Sequence, residues 1–328
     1  MQNYKIKHKI INISSMKTIG WYQRIENIKK NKEIYFTYFD IKTSKQLMQD
    51  NNAEELERIR NLHIPPGYHD VLINKNKNAK ILAFGYDKKN RKQIRYHPTF
   101  IKTQADKKFA RLEKFKKIIP KILNQIEKTI LTVKNTKQKG IAIIIWLMYH
   151  CGFRIGNSKY AKENNTFGVC TLQCRHIHIK KDKIIIKFIG KKSVENISEI
   201  CDKTIMKYLK SQKKKAITQE DQLFKYIDHE EKIQSITSKD VNEYLQSFDD
   251  EITSKDIRTW NANILFIENM EKLEKTSPSE TEKDVKKKIN EALKNVATHL
   301  HHTPVVCKKN YIDPDILRKY ESLKLEKK

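Results

Sequence analysis

Ile184-Ile-Ile-Lys-Phe-Ile-Gly190-Lys191-Lys192-Ser-Val-Glu-Asn-Ile197 is the stretch on which the division of this chain turns. Two runs rich in β-branched residues flank a Gly-Lys-Lys turn, the pattern of a hairpin. His176-Ile-His-Ile179 just upstream supplies a third strand. Around this β island the period is helical. Phe109, Leu112, Phe115, Ile118 and Ile119 recur at helical spacing from Gln104 onward, and further helical patterns follow around 121–133 and 137–150. Beyond the island the chain reads as helices with polar loops, including Lys275-Thr-Ser-Pro-Ser-Glu280. Towards the N-terminus the pattern reverses. Glu33–Tyr38 has strand composition, and Ala53–Asn61 reads as a short helix stopped by His63-Ile-Pro65-Pro66-Gly67. Val71–Ile73, Lys80–Phe84 and Gln93–Tyr96 read as strands, with turns at Asn76-Lys-Asn78 and Asp87-Lys-Lys-Asn90. The expected class is α+β: a β-rich N-terminal domain over residues 1–103, a basic linker near 102–108, and a larger, mostly helical domain over 104–328 that carries the three-stranded sheet. No internal repeat is present.

Charge narrows the partners. Of 328 residues, 67 are Lys or Arg and 39 are Asp or Glu, a formal net charge of +28. Such an excess self-repels unless a polyanion neutralises it, and lysine is spread along the whole chain rather than gathered on one amphipathic helix or tail. A nucleic acid is therefore the expected partner, ahead of an anionic membrane. The longest apolar run, Ile141–Tyr149, is far short of the roughly 20 residues a membrane span needs. Residues 1–15 alternate lysine with isoleucine and lack the apolar region of a signal peptide. Cys151, Cys170, Cys174, Cys201 and Cys307 have no regular spacing and read as reduced intracellular thiols.

Five residues in order name a reaction: Arg154, Lys191, Arg258, His302 and Tyr311. Breaking a phosphodiester without a metal places charge on the non-bridging oxygens and on the leaving 5′ oxygen. Arginine forks offer fixed, charge-assisted donors to the former, and a lysine or arginine can protonate the latter. A tyrosine, with an ordinary pKa near 10, needs clustered positive charge to attack as phenolate. Taken singly, each has a structural reading. Arg154 in Cys151-Gly-Phe-Arg-Ile-Gly156 could be a surface arginine, Lys191 a solvated turn lysine, and Arg258 in Asp256-Ile-Arg-Thr-Trp260 a salt-bridge residue. Their joint presence in a strongly basic chain argues for chemistry. No cofactor is expected: no phosphate-binding Gly-rich word occurs. Cys170, Cys174, His176 and His178, if extended, would stretch over roughly 26 Å at about 3.3 Å per residue and could not meet on one zinc.

A set of words along the chain resembles the type IB DNA topoisomerases, in particular the small poxvirus-like and bacterial-type group. They are Glu57-Arg-Ile-Arg60, Ile64-Pro-Pro66, Asp70-Val71, Gly85-Tyr-Asp87, Arg91-Lys-Gln93 with Arg95-Tyr-His-Pro98, Phe153-Arg154, Gly156, Lys159-Tyr-Ala-Lys-Glu-Asn164, Gly168, Thr171-Leu172, Phe188-Ile-Gly-Lys191, Arg258-Thr-Trp-Asn-Ala262 and His302-Thr-Pro-Val-Val-Cys-Lys-Lys-Asn-Tyr-Ile312. The resemblance runs from about Gly20 to Leu317 in family order. It implies that Tyr311 forms a 3′-phosphotyrosyl bond, that Arg154, Arg258 and His302 hold the phosphate, and that Lys191, helped by Arg154, protonates the departing 5′ oxygen. It further implies double-stranded DNA as the partner, and relaxation of positive and negative supercoils without ATP or metal by a monomer whose two domains clamp the duplex. The source it suggests is a large DNA virus, with the enzyme intracellular, in the virion or in a cytoplasmic viral factory. Arg91, Lys92, Gln93 and Tyr96 are the expected DNA contacts of the N-terminal domain, and Tyr160 that of the second; the two tyrosines could equally be half-buried packing residues. The sequence departs from the family pattern at Ile94, where poxvirus members have a DNA-contacting tyrosine, and at Gly67-Tyr68-His69.

Two rival readings compete. A tyrosine recombinase would share the chemistry, but it usually carries a histidine three residues before the second arginine, where this chain has Lys255. A non-catalytic DNA-packaging protein would fit the charge but not the ordered reactive set.

Overall fold

A computed structural model describes residues 20–29, 31–134 and 136–322; the reading of residues 1–15 lies outside them. The chain divides into two compact units, Met1–Lys107 and Lys108–Lys328. The first is built on an antiparallel five-stranded sheet of β1 (Trp21–Ile28), β2 (Ile34–Asp40), β3 (His69–Asn74), β4 (Ile81–Tyr86) and β5 (Lys92–Tyr96), in the order β2-β1-β3-β4-β5. Helix α1 (Gln49–Asn61) lies between β2 and β3 in the chain. Its Ile59 joins Leu47, Val71, Ile73 and Ala83 in the small core of this unit.

Strand β1 was not expected from the sequence, although it sits between β2 and β3 in the sheet. Its residues, Trp-Tyr-Gln-Arg-Ile-Glu-Asn-Ile, are too polar to announce a strand. The reason is Arg24. It is buried, donates to the carbonyls of Pro65 (3.2 Å) and Tyr68, and lies over the Phe36 ring at 4.2 Å. A buried cation is tolerated here because backbone oxygens of the Pro65-Pro66 loop surround it.

The residues read as a basic linker are helical. They belong to α2 (Pro98–Thr132), which also runs through Pro120 rather than breaking there. Phe115, Ile119, Ile122, Ile126 and Ile130 bury one continuous face, and that packing outweighs the single main-chain bond the proline removes. Helix α3 (Lys137–His150) is almost wholly apolar from Ile141 to Met148 and forms the centre of the larger core. Then follow α4 (Ser158–Asn164) and the expected island, β6 (Ile177–Ile179), β7 (Ile184–Ile189) and β8 (Glu195–Ile200), antiparallel in that order. After α5 (Lys203–Lys214) comes a hairpin absent from the sequence reading, β9 (Lys225–Ile227) with β10 (Ile233–Ser235), whose three-residue strands are too short to show a period. The remainder is helical: α6 (Ser238–Gln246), α7 (Ser254–Thr276), α8 (Glu282–His299), α9 (Pro304–Asn310) and α10 (Pro314–Ser322). Helices α7 to α10 enclose a second core around Phe266, Leu293 and Ile312. The class is α+β. Among the described residues no helix is long and apolar enough to cross a membrane.

Candidate active site

Arg258 is set in the first turns of α7. Asp256 accepts from the Thr253 amide (2.9 Å) and hydroxyl (2.8 Å), which fixes the start of the helix. The Arg258 side chain is only 6% exposed. Its two terminal nitrogens donate to the carbonyls of Gly152 and Leu300, and its Nε faces the Tyr311 hydroxyl at 3.3 Å. The guanidinium is thus oriented before any substrate arrives, at the cost of desolvation. Burial, and then the neighbouring Arg154, pull its pKa down to about 10, which leaves it charged at neutral pH.

The Gly152 carbonyl can reach this arginine because of a backbone requirement. Helix α3 ends at His150, and Gly152 turns the chain with φ +62°; a β-carbon there would collide with the His299 carbonyl oxygen. The next residue, Phe153, locks three segments together. Its ring meets Phe188 of β7 edge-on at 5.0 Å and stacks on His301 at 5.2 Å. His301 also bonds the Cys151 carbonyl at 3.0 Å. Arg154 follows directly. Its backbone carbonyl accepts from Val169 (2.9 Å), and Gly168 lies so close that a β-carbon would overlap that oxygen.

Tyr311 stands at the C-terminal end of α9. Thr303 caps this short helix by accepting from the Val306 amide at 3.3 Å, with Pro304 in the first turn. The Tyr311 amide donates to Cys307 (2.9 Å), and its carbonyl accepts from Asn263 Nδ2 (2.9 Å). Asn263 Oδ1 accepts in turn from the Asp313 amide at 2.8 Å. Buried Asn263 therefore clasps the main chain on the far side of the tyrosine. The His302 ring lies parallel to the phenol, 5.0 Å away at 8°. Burial alone would raise the phenol's pKa. Arg258 and Arg154, by charge and by hydrogen bonds to the hydroxyl, outweigh it and hold the pKa below the ordinary tyrosine value. Burial and the same two arginines depress His302 to about 4, so it is neutral at pH 7. Its Nδ1 lies 3.2 Å from the Thr303 carbonyl, a contact only the Nδ1–H form can make, and its buried Nε2 has no partner among the described residues.

Arg154, Arg258, His302 and Tyr311 are thus brought together. Lys191 is exposed in a 3-10 turn, Lys191–Ser193, between β7 and β8. Lys192 (φ +63°) and Ser193 (φ +57°) are both left-handed, a costly turn that its surroundings must enforce. Gly190 sits against the buried Asn196 side chain with no room for a β-carbon, and the Asn196 amide donates to Val194 at 2.9 Å.

Arg91 (2.8 Å) and Gln93 (3.0 Å) both bond Asp87, Lys92 lies over the Phe84 ring at 4.0 Å, and Tyr96 leans on Phe100 at 5.1 Å. Tyr160 is 52% exposed on α4. The Cys170–His178 segment is not extended, as the zinc argument assumed. It folds into two 3-10 turns, Val169–Thr171 and Cys174–His176, and His176 Nδ1 accepts from the Gln173 amide at 3.0 Å. No group of three or more metal-ligating side chains is arranged for an ion among the described residues. Sequence reasoning missed Gly152, His301, Asn263 and Lys108, whose Nζ donates to the Asn310 carbonyl at 2.8 Å. Two of them carried a signal: His301 in the run His299-Leu-His-His302, and Gly152 as the glycine that bounds the apolar helix.

Comparison with known proteins gives two family matches. Residues 97–328 match the eukaryotic DNA topoisomerase I catalytic core, and residues 35–87 match the bacterial DNA topoisomerase IB N-terminal domain. The chain is similar to the DNA topoisomerase 1B of Acanthamoeba polyphaga mimivirus, with 33% identity over 286 residues covering 83% of each protein. It is similar also to the DNA topoisomerase 1B of vaccinia virus (strain Copenhagen), with 26% identity over 273 residues covering 82% of each. Similarity to the DNA topoisomerase 1 of Mycosarcoma maydis is 28% over 234 residues, 62% of this chain and 22% of that one.

Proposed function

The chain belongs to the type IB DNA topoisomerases, and from that membership we propose that it relaxes positive and negative supercoils through a transient 3′-phosphotyrosyl link made by Tyr311, without ATP or metal. The Tyr311 oxygen attacks the phosphorus of one strand and gives up its proton to solvent. The bond from phosphorus to the 5′ oxygen breaks, and Lys191, assisted by Arg154, delivers a proton to that oxygen. The strand turns about its intact partner, and the 5′ hydroxyl then attacks the phosphotyrosine to restore the DNA. Bond energy is conserved in the covalent link, so no nucleotide is consumed. Arg154 and Arg258 neutralise the non-bridging oxygens. His302 is neutral before DNA binds and donates from Nδ1 to Thr303. It can also donate from Nε2 once a phosphate beside it favours the imidazolium. The enzyme acts on double-stranded DNA as a monomer.

The observation that supports this most directly is the Tyr311 hydroxyl, within reach of two arginines that lower its pKa. The test is a supercoil-relaxation assay with chelator and without nucleotide. The parent protein is expected to relax both signs of supercoil, whereas Tyr311→Phe binds DNA and leaves it supercoiled. Relaxation by Tyr311→Phe, or a strict need for a divalent ion or ATP, would refute the proposal.

A further inference from the structure

Tyr311 is gripped from both sides along the main chain. Asn263 holds the carbonyl of Tyr311 itself, and Lys108 of α2 holds the carbonyl of Asn310, the peptide unit just before it, at 2.8 Å. We propose that Lys108 is a positioning residue for the nucleophile, fixing the end of α9 and adding its positive charge to the electrostatic surroundings of the phenol. This rests on the reading of Tyr311 as the nucleophile.

The placement is specific. The last carbonyls of a helix lack partners within it, and a lysine there both satisfies one and complements the negative end of the helix. Lys108 is half-buried and interacts electrostatically with Tyr311, Asp313, Arg111 and Asp256. Of these, Arg111 is directed at Asp256, 3.6 Å away. The carboxylate of Asp313, and Tyr311 when it is the phenolate, are the anionic groups left for Lys108 to serve. A cation close to a phenol stabilises the phenolate, the form that attacks. Restraint of Asn310 limits the swing of the side chain, which must meet the same phosphorus on cleavage and present it again on religation. The basic run around 102–108 gave no reason to single out this lysine, since Lys107 beside it is exposed.

The experiment uses the full chain and a duplex whose cleaved 5′ strand is too short to stay paired, so that cleavage is trapped and its single-turnover rate can be read against pH. Lys108→Gln is expected to slow cleavage at pH 7 roughly tenfold, the consequence of about one unit in the phenol's pKa. It should move the midpoint of the pH–rate profile to higher pH and change DNA affinity by less than about twofold, since no phosphate contact is lost. Lys108→Arg should restore most of the rate and the original midpoint. The midpoint does not depend on how much of the sample is folded, so it decides even if the glutamine variant is unstable. An unmoved midpoint, or a Lys108→Gln rate within twofold of the parent, would overturn the inference. Tyr311→Phe is run alongside. Cleavage by that variant removes the nucleophile reading, whereas its inactivity together with an ordinary Lys108→Gln removes only the role of Lys108.

Discussion

Arg258 and Lys191 are expected to be equally necessary for cleavage and unequal in their effect on folding. Arg258 is buried and satisfies two backbone carbonyls from segments 106 and 42 residues away. Truncating it to alanine leaves both oxygens buried without a donor, a loss of roughly 2–4 kcal/mol at typical costs for unsatisfied groups. Lys191 projects from an exposed turn, so Lys191→Ala should lower activity as severely while leaving the unfolding free energy within about 0.5 kcal/mol of the parent. Denaturant titration and single-turnover cleavage on the two variants check both halves; equal destabilisation would contradict the assignment of Arg258 to two roles. The sequence suggested Arg258 as a phosphate ligand or a salt-bridge residue. Its contacts are with neither a carboxylate nor the segments nearest in sequence, and nothing local to Asp256-Ile-Arg-Thr-Trp260 could have indicated the carbonyls it meets.

At the level of elements, the hairpin β7–β8, the loop after α3 and the loop before α9 are tied through one ring. Phe153 is 1% exposed between Phe188 and His301. Phe153→Ala should cost about 3–5 kcal/mol as a large buried cavity. It should also slow cleavage more than an equally destabilising change in the second core, such as Phe266→Ala, because it loosens Arg154 and the Lys191 hairpin together. Comparing the two variants at a temperature where both are folded tests this; equal cleavage rates would show that the ring serves stability alone. The hairpin was legible because its β-branched runs and Gly-Lys-Lys turn are local signals. Strand β1 was not, since the burial of Arg24 depends on the Pro65 loop about 40 residues on. Helix α2 runs through Pro120 for the same kind of reason: its apolar face is held by packing that overrides a local breaker.

Across the whole molecule, charge and buried histidine set the response to solution conditions. DNA binding should weaken steeply with salt, log K falling by about 0.9 per phosphate contacted for each decade of salt. His176, His301 and His302 have pKa values near 4, below the ordinary 6.5, chiefly through burial. Their neutral forms are favoured in the fold, so the stability they permit is complete above pH 6.5. It is lost as pH falls from there towards 4, where the unfolded chain takes up protons that the fold refuses. Melting temperature should therefore decline across this window, and His301→Gln should flatten the decline; an unchanged slope would sink this attribution. Taken alone, the sequence determined the class, the polyanionic partner and the order of the candidate reactive residues, because composition, short-range period and side-chain chemistry are properties of the chain itself. Only the tertiary structure decided that Arg258 is held by Gly152 and Leu300 and that Lys108 and Asn263 grip the main chain around Tyr311. These contacts join segments tens to hundreds of residues apart, and they exist only once the packing of α2, α3, α7 and α9 has fixed where each backbone carbonyl lies.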